Sequence, residues 1–223
     1  MGTTRRKYLV AAGGAATLGL AGCLSGAGTD TDGGGPGTGG DEQQNRVQKL
    51  PTPTKGSDDA PVTVQVFKDF SCPHCATFEL EAVPKLESEF VEPGDVLYEH
   101  RDFPLPVDKQ WSWAAPNAAR AVQETVGEDA FFEYAVTLFE NQSRYSMDLL
   151  ANLASDVGAD GAKVRSAAEN GTYQPVLETD RTLAREQGAS GTPAVFVDGE
   201  QVELANTIDE YYQNVRAAIR SKL

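Results

Sequence analysis

Val62-Thr63-Val64-Gln65-Val66-Phe67-Lys68-Asp69-Phe70-Ser71-Cys72-Pro73-His74-Cys75 is the stretch on which the reading of this chain turns. From Val62 to Phe67, β-branched and polar residues alternate with the period of two that a half-buried strand requires. The strand runs on through Asp69 and Phe70 and points directly at two cysteines. A helix is expected from Pro73, because proline suits the first helical turn, where its missing amide hydrogen is no loss. Phe78, Val83, Leu86 and Phe90 approximate one face of that helix, and Pro84 inside it predicts a kink.

Downstream, Val96 to Asp102 reads as a second strand, ended by Phe103-Pro104-Leu105-Pro106. A long helical region follows, with helices expected at Trp113 to Val126, Ala130 to Asn141, Met147 to Val157, Gly161 to Glu169 and Tyr173 to Gln187. Ala194 to Val197 is a strand, Asp198-Gly199 a hairpin turn, Gln201 to Leu204 the returning strand, and Ile208 to Leu223 a closing helix. This order predicts an α/β layer with a helical insertion, the first two strands parallel across their helical connection and the hairpin adding antiparallel pairing.

Upstream, Thr4-Arg5-Arg6-Lys7-Tyr8-Leu9 and the mildly apolar run to Leu20 resemble a twin-arginine export signal. The run is broken by Gly13, Gly14 and Gly19 and is short of the roughly 20 apolar residues of a spanning helix. Leu20-Ala21-Gly22-Cys23 resembles a lipobox, which would make Cys23 a lipidation site; cleavage at a nearby small residue or an uncleaved signal anchor are the alternatives. Residues 1–23 are thus expected to be an address, 24–56 a flexible acidic and Gly-rich linker too poor in apolar residues to fold, and 57–223 the single folded domain. The 33 acidic against 19 basic residues, a net charge of -14, disfavour nucleic acid and anionic lipid surfaces as partners. No dimerisation module is evident, so a monomer is expected.

The chemistry lies in the cysteines. Three are too few to staple a domain of this size, and two of them, Cys72 and Cys75, stand one helical turn apart where a disulfide can close. Amides at a helix N-terminus and the positive end of its dipole favour a thiolate at Cys72, expected at the exposed, preceding position and to be the attacking sulfur. Cys75, one turn inward, is expected to be the buried resolving thiol. Pro73 and His74 sit where they tune the pair, the imidazole of His74 donating toward Cys72 and so stabilising the reduced form. A structural zinc site would need four ligands and no second cysteine pair exists, so no metal and no cofactor are expected. His100, alone on a strand, is expected to serve packing or surface.

The motif around Phe70-Ser71-Cys72-Pro73-His74-Cys75 resembles the thioredoxin-fold oxidoreductases of the DsbA type. The resemblance extends through Asp69, Pro84, Arg101-Asp102-Phe103-Pro104-Leu105, the helical region and Gly191-Thr192-Pro193, and covers roughly residues 60–223. It implies a thioredoxin-like fold with the helical insertion, about residues 107–188, between the second and third core strands. It also implies a cis peptide bond before Pro193, which would face the cysteine pair, and a Thr192 that offers backbone groups to an extended substrate segment. The implied activity is exchange of the Cys72-Cys75 disulfide with exported proteins, as an oxidase served by a membrane redox partner, at the outer face of the cytoplasmic membrane or secreted. The alternatives are a reductase or isomerase using the same site and, in a different class, a metal-binding or substrate-binding lipoprotein. The sequence departs from some members in carrying Val66 where they have a buried acid. Asp69 is then either the proton acceptor for Cys75 or a surface residue at a strand end, with the surface reading favoured.

Overall fold

The protein is described by a computed structural model over residues 46–223. The arginine pair, the lipobox with Cys23 and residues 24–45 lie outside the described residues. Among the described residues five strands, β1 (Thr54–Lys55), β2 (Val62–Lys68), β3 (Val96–Asp102), β4 (Ala194–Val197) and β5 (Glu200–Gln201), form one sheet in the order β1-β3-β2-β4-β5. β2 lies at its centre, parallel to β3 with Val62 opposite Val96 and Lys68 opposite Asp102, and antiparallel to β4 with Phe67 opposite Ala194. Its alternation works as expected: Val62, Val64 and Val66 enter one large core, while Phe67 on the opposite face packs with Phe103 and Phe196 in a smaller one.

The helix leaving β2 starts as α1 (Pro73–Thr77), passes through a π-helical turn at Phe78–Ala82, resumes as α2 (Val83–Leu86) and widens again at Glu87–Val91. Pro84, at the start of α2, cannot donate to the turn before it. The distortion expected from it takes the form of wide turns on both sides, which keep Phe78, Leu86 and Phe90 buried.

Between β3 and β4 comes the helical insertion: α3 (Trp111–Thr125), α4 (Glu128–Glu140), α5 (Met147–Asp156), α6 (Gly161–Asn170) and α7 (Gln174–Glu186). Each lies within two residues of its expected span. Polar caps explain two of the starts: Ser146 Oγ accepts from the Leu149 amide at 3.1 Å and Asp160 Oδ1 from the Ala162 amide at 3.0 Å. The chain closes with α8 (Ile208–Arg220). Among the described residues no helix is long and apolar enough to cross a membrane.

Two boundaries differ from expectation. The folded part begins before Ser57: the Val47 amide donates to Thr172 O at 2.8 Å, Pro53 is buried, and Thr54 and Lys55 pair with Glu99 and Tyr98 of β3. A two-residue strand has no period by which a sequence can announce it. The return of the hairpin is shorter than Gln201 to Leu204, although Asp198 and Gly199 make the expected two-residue turn with φ of 48° and 79°. After Gln201 only the Val202 amide still bonds back, to Val195 O, and the chain then leaves the sheet with Leu204 exposed.

A buried charge cluster joins the insertion to the sheet. Arg120 of α3, 1% exposed, donates to Asp102 Oδ2 of β3 at 2.7 Å and to Asp180 Oδ2 of α7 at 2.9 Å, and it also reaches the Pro51 carbonyl and Gln123. Burial alone would raise the Asp102 carboxyl, but the Arg120 guanidinium and the hydrogen bond from His100 outweigh it and hold the group down to about 2. His100 is thus a core residue, the packing alternative of the two expected; burial and the charge of Lys68 push its imidazole down to about 4, so it is neutral at pH 7. Removing the guanidinium would leave Asp102 in the core without a cation and Asp180 with Arg101 alone, so Arg120→Met is expected to destabilise the protein by about 3–5 kcal/mol. Urea unfolding measures it, and a midpoint equal to wild type would show that the cluster carries no stability.

Candidate active site

β2 ends at Lys68, and the turn Asp69-Phe70-Ser71 delivers Cys72 to the N-cap of α1, in an extended conformation with φ of -83° and ψ of 119°. Pro73 occupies the first turn, and the Cys75 and Ala76 amides close that turn on the Cys72 carbonyl at 3.0 and 3.1 Å. Both cysteines are free thiols. They differ in environment: Cys75 is fully buried behind the turn, and its Sγ receives the Asp69 amide at 3.5 Å.

Cys72 is 6% exposed, which corrects the expectation of an exposed position. The cover comes from the loop before β4, where the Thr192-Pro193 peptide is cis and Thr192 O lies 3.4 Å from Cys72 Sγ. The hydrogen bond from the Cys75 thiol lowers the Cys72 thiol most; burial opposes it, and the Thr192 side chain and the backbone amides of Cys75 and His74 add to the lowering. The net result is about 5. Burial, followed by the hydrogen bond and charge of Cys72, pushes Cys75 far the other way, well above the ordinary thiol range. One sulfur is therefore a thiolate at neutral pH and a good leaving group, while the other keeps its proton.

The His74 imidazole does not perform the expected donation. It is exposed and lines a cleft, and the backbone amide of His74 is what bears on Cys72. Asp69 overturns the surface reading: it is 1% exposed, with one carboxylate oxygen accepting from the Ser71 amide at 2.7 Å and the other from the Leu105 amide at 2.8 Å. Burial outweighs these bonds and raises the Asp69 carboxyl to about 6. The segment Phe103 to Leu105 folds over Asp69, a long-range event that a local reading of a strand end does not contain.

Lys68 and Glu79 escaped the sequence reading altogether. Both are buried, Lys68 Nζ bonding Glu79 and also the Tyr98 hydroxyl at 3.0 Å. A signal existed: Lys68 is in phase with the buried Val62, Val64 and Val66, and Glu79 follows the buried Cys75 by four residues on one helical face. Where Val66 replaces an acid, Asp69 is the buried carboxylate next to the pair, while Glu79 is paired with Lys68. Beside Cys72 opens a cleft of about 300 Å³ lined by His74, Thr77, Pro193, Leu204, Ile208 and Tyr211. Among the described residues no group of three or more His, Cys, Asp or Glu side chains converges to hold a metal ion.

Comparison with known proteins agrees with this geometry. Residues 48–217 match the thioredoxin family. The chain belongs to that family. It is 25% identical over 179 residues to disulfide bond formation protein D of Bacillus subtilis, covering 76% of this chain and 78% of the relative. The crystal structure of oxidised BdbD from the same organism superposes with a TM-score of 0.68 at 25% identity, covering 77% of this chain and 92% of that one. The structure of Chlamydia trachomatis DsbA does so with a TM-score of 0.65 at 20% identity, covering 79% and 95%. Within the thioredoxin family, this chain is a DsbA-like thiol-disulfide oxidoreductase.

The lowered Cys72 thiol links redox state to stability. Between about pH 5 and 9 the unfolded dithiol chain holds a proton at Cys72 that the folded one has released, so the stability of the reduced protein rises with pH across this window and is lost as pH falls through about 5. The raised Asp69 works in the opposite sense below about pH 6; burial, the largest cause of its shift, is common to both redox forms, while the smaller push from the Cys72 charge belongs to the dithiol form alone. The unfolding free energy of the dithiol protein relative to that of the disulfide protein, measured in urea, is therefore expected to rise with pH from 5 to 9, by at most about 1.4 kcal/mol per pH unit. A difference that is flat with pH would contradict a thiolate at Cys72.

Proposed function

We propose that the chain is an oxidase of exported proteins, with Cys72 as the exchanging sulfur and Cys75 as the resolving one. The observation that carries this reading is the opposite treatment of the two thiols within one helical turn. A substrate thiolate attacks Cys72 of the Cys72-Cys75 disulfide, the S–S bond breaks, and Cys75 leaves and takes up a proton. A second substrate thiolate then attacks the substrate sulfur of the mixed disulfide and expels Cys72 as a thiolate. Two electrons pass from substrate to enzyme, and a membrane redox partner must remove them to restore the disulfide. Because Cys72 is a stable thiolate, expelling it is favourable, which drives the exchange toward substrate oxidation.

Pro73 and His74 tune the pair, Pro73 by fixing the first turn and His74 through its amide and an exposed ring beside the helix start. Thr192 and Pro193 bind substrate. An extended segment lying along the cleft meets Pro193 and the backbone of Thr192, whose carbonyl is released when the Cys72 thiol gives up its proton. The name of the B. subtilis relative, disulfide bond formation protein D, supports the oxidising direction. Oxidation of a reduced test protein is expected to stop with Cys72→Ser, and Cys75→Ser, offered a disulfide-bonded test protein that its Cys72 thiolate can attack, is expected to accumulate a Cys72-linked mixed disulfide. A reduction potential near about -270 mV, as low as that of thioredoxin, would instead assign the site to a reductase.

We further infer that residues 1–23 export the chain and that Cys23 anchors it by lipid, with residues 24–45 as the tether to the domain. The arginine pair and the Leu20-Ala21-Gly22-Cys23 stretch support this. Mass spectrometry of the membrane-extracted protein is expected to find an acylated Cys23 at the mature N-terminus, and an unmodified Cys23 would end the lipoprotein reading.

A further inference from the structure

Phe70 and Cys72 are held from outside their own elements. The turn Gln142–Arg144, between α4 and α5 of the insertion, brings the Gln142 carboxamide against the redox loop. Its Nε2 donates to Phe70 O at 2.7 Å and to Cys72 O at 2.9 Å, so one amide group uses both hydrogens on two carbonyls of the same loop. The Tyr145 hydroxyl, from the same turn, lies 3.1 Å from Phe70 O and 2.9 Å from Leu138 O. The Phe70 ring stacks on Phe139 at 4.7 Å between centroids, so the last turn of α4 and the segment after it grip the loop by apolar and polar contact together.

We propose that Gln142 is a positioning residue for thiol-disulfide exchange, its carboxamide fixing the backbone of Phe70 and Cys72 so that the amides at the start of α1 stay aimed at the Cys72 sulfur. An N-cap residue joins the helical ladder only through its carbonyl, and α1 offers the Cys72 carbonyl only the Cys75 and Ala76 amides. The sulfur must travel between a bonded separation of about 2 Å from its partner and the longer one of two free thiols. A carbonyl tethered from a different part of the fold allows Cys72 Sγ to move without dragging its backbone along. Without Gln142 the loop samples more conformers, and the amide contacts to the thiolate are averaged down.

The inference rests on the reading of Cys72 as the thiolate of the pair, and one set of measurements on the full chain separates the two. Thiolate absorbance near 240 nm, followed against pH, gives the Cys72 titration, and equilibration with reduced and oxidised glutathione gives the exchange constant. Wild type is expected to titrate in the acid range; an ordinary alkaline titration there would sink the active-site reading itself. With wild type acidic, Gln142→Ala is expected to move the titration up by about one pH unit and to lower the glutathione constant about tenfold, the scale of one lost hydrogen bond. Gln142→Glu keeps the size, loses both donors at neutral pH and adds a negative charge, so it is expected to shift both readings further in the same direction. It also stands in should the alanine variant fail to fold. Asp160→Ala, which removes the cap of α6 without touching the redox loop, is expected to lose comparable stability with both redox readings unchanged. Wild-type titration and exchange constant in the folded Gln142 variants, or an equal shift in Asp160→Ala, would overturn the positioning role.

Discussion

The guanidinium of Arg120 is the tie on which this architecture depends. An arginine sealed from water is tolerable only when its donors are met by charge and by carbonyl oxygen, and here α3 supplies the arginine, β3 and α7 the carboxylates, and the stretch before β1 a carbonyl. These segments are distant in sequence and include both ends of the helical insertion. Their shared cluster fixes how the insertion sits on the sheet. Since α4 and the turn after it reach the redox loop only because the insertion is seated in this way, the geometry around Cys72 depends on charges that never meet a substrate.

At the sulfur pair, one principle acts with opposite outcomes. Burial penalises any charge, and it is the largest cause that shifts Cys75, Asp69 and His100 toward their neutral forms. Cys72 resists because donors converge on its sulfur from the neighbouring thiol, Thr192 and the first amides of α1. The low-dielectric surroundings that suppress charge elsewhere also make these few hydrogen bonds count for more. A site that must hold one ionised sulfur and one protonated sulfur a single turn apart is built by giving almost all the donors to one of them.

Much of this was legible in the sequence, and the part that was not has a common cause. The central strand, the cysteine turn and the insertion helices repeat a local period, and local periods can be read directly. The hairpin turn is carried by two residues, Asp198 and Gly199, whose backbone preferences suffice. What escaped depends on segments that meet only in three dimensions. Cys72 is covered by Thr192, 120 residues further along the chain. Asp69 is buried by the segment that follows β3, and Gln142 grips a loop 70 residues before it. The stretch from Val47 to Lys55 has too little pattern to distinguish it from a linker, yet it completes the sheet edge and closes over the Arg120 cluster. Lys68 is the exception: its phase along β2 marked it as buried, and only its charge argued otherwise.

The early departure of the chain from the sheet after Gln201 carries a consequence of its own. The residues released from strand pairing, with Leu204 outermost, form one wall of the cleft beside Cys72, yet they contribute none of the donors that set the charge on its sulfur. If, as proposed, that cleft receives the substrate, which polypeptides can settle against the enzyme and how strongly it draws electrons from them are written in different segments. Lengthening or recolouring that wall would retarget the protein while leaving its driving force untouched.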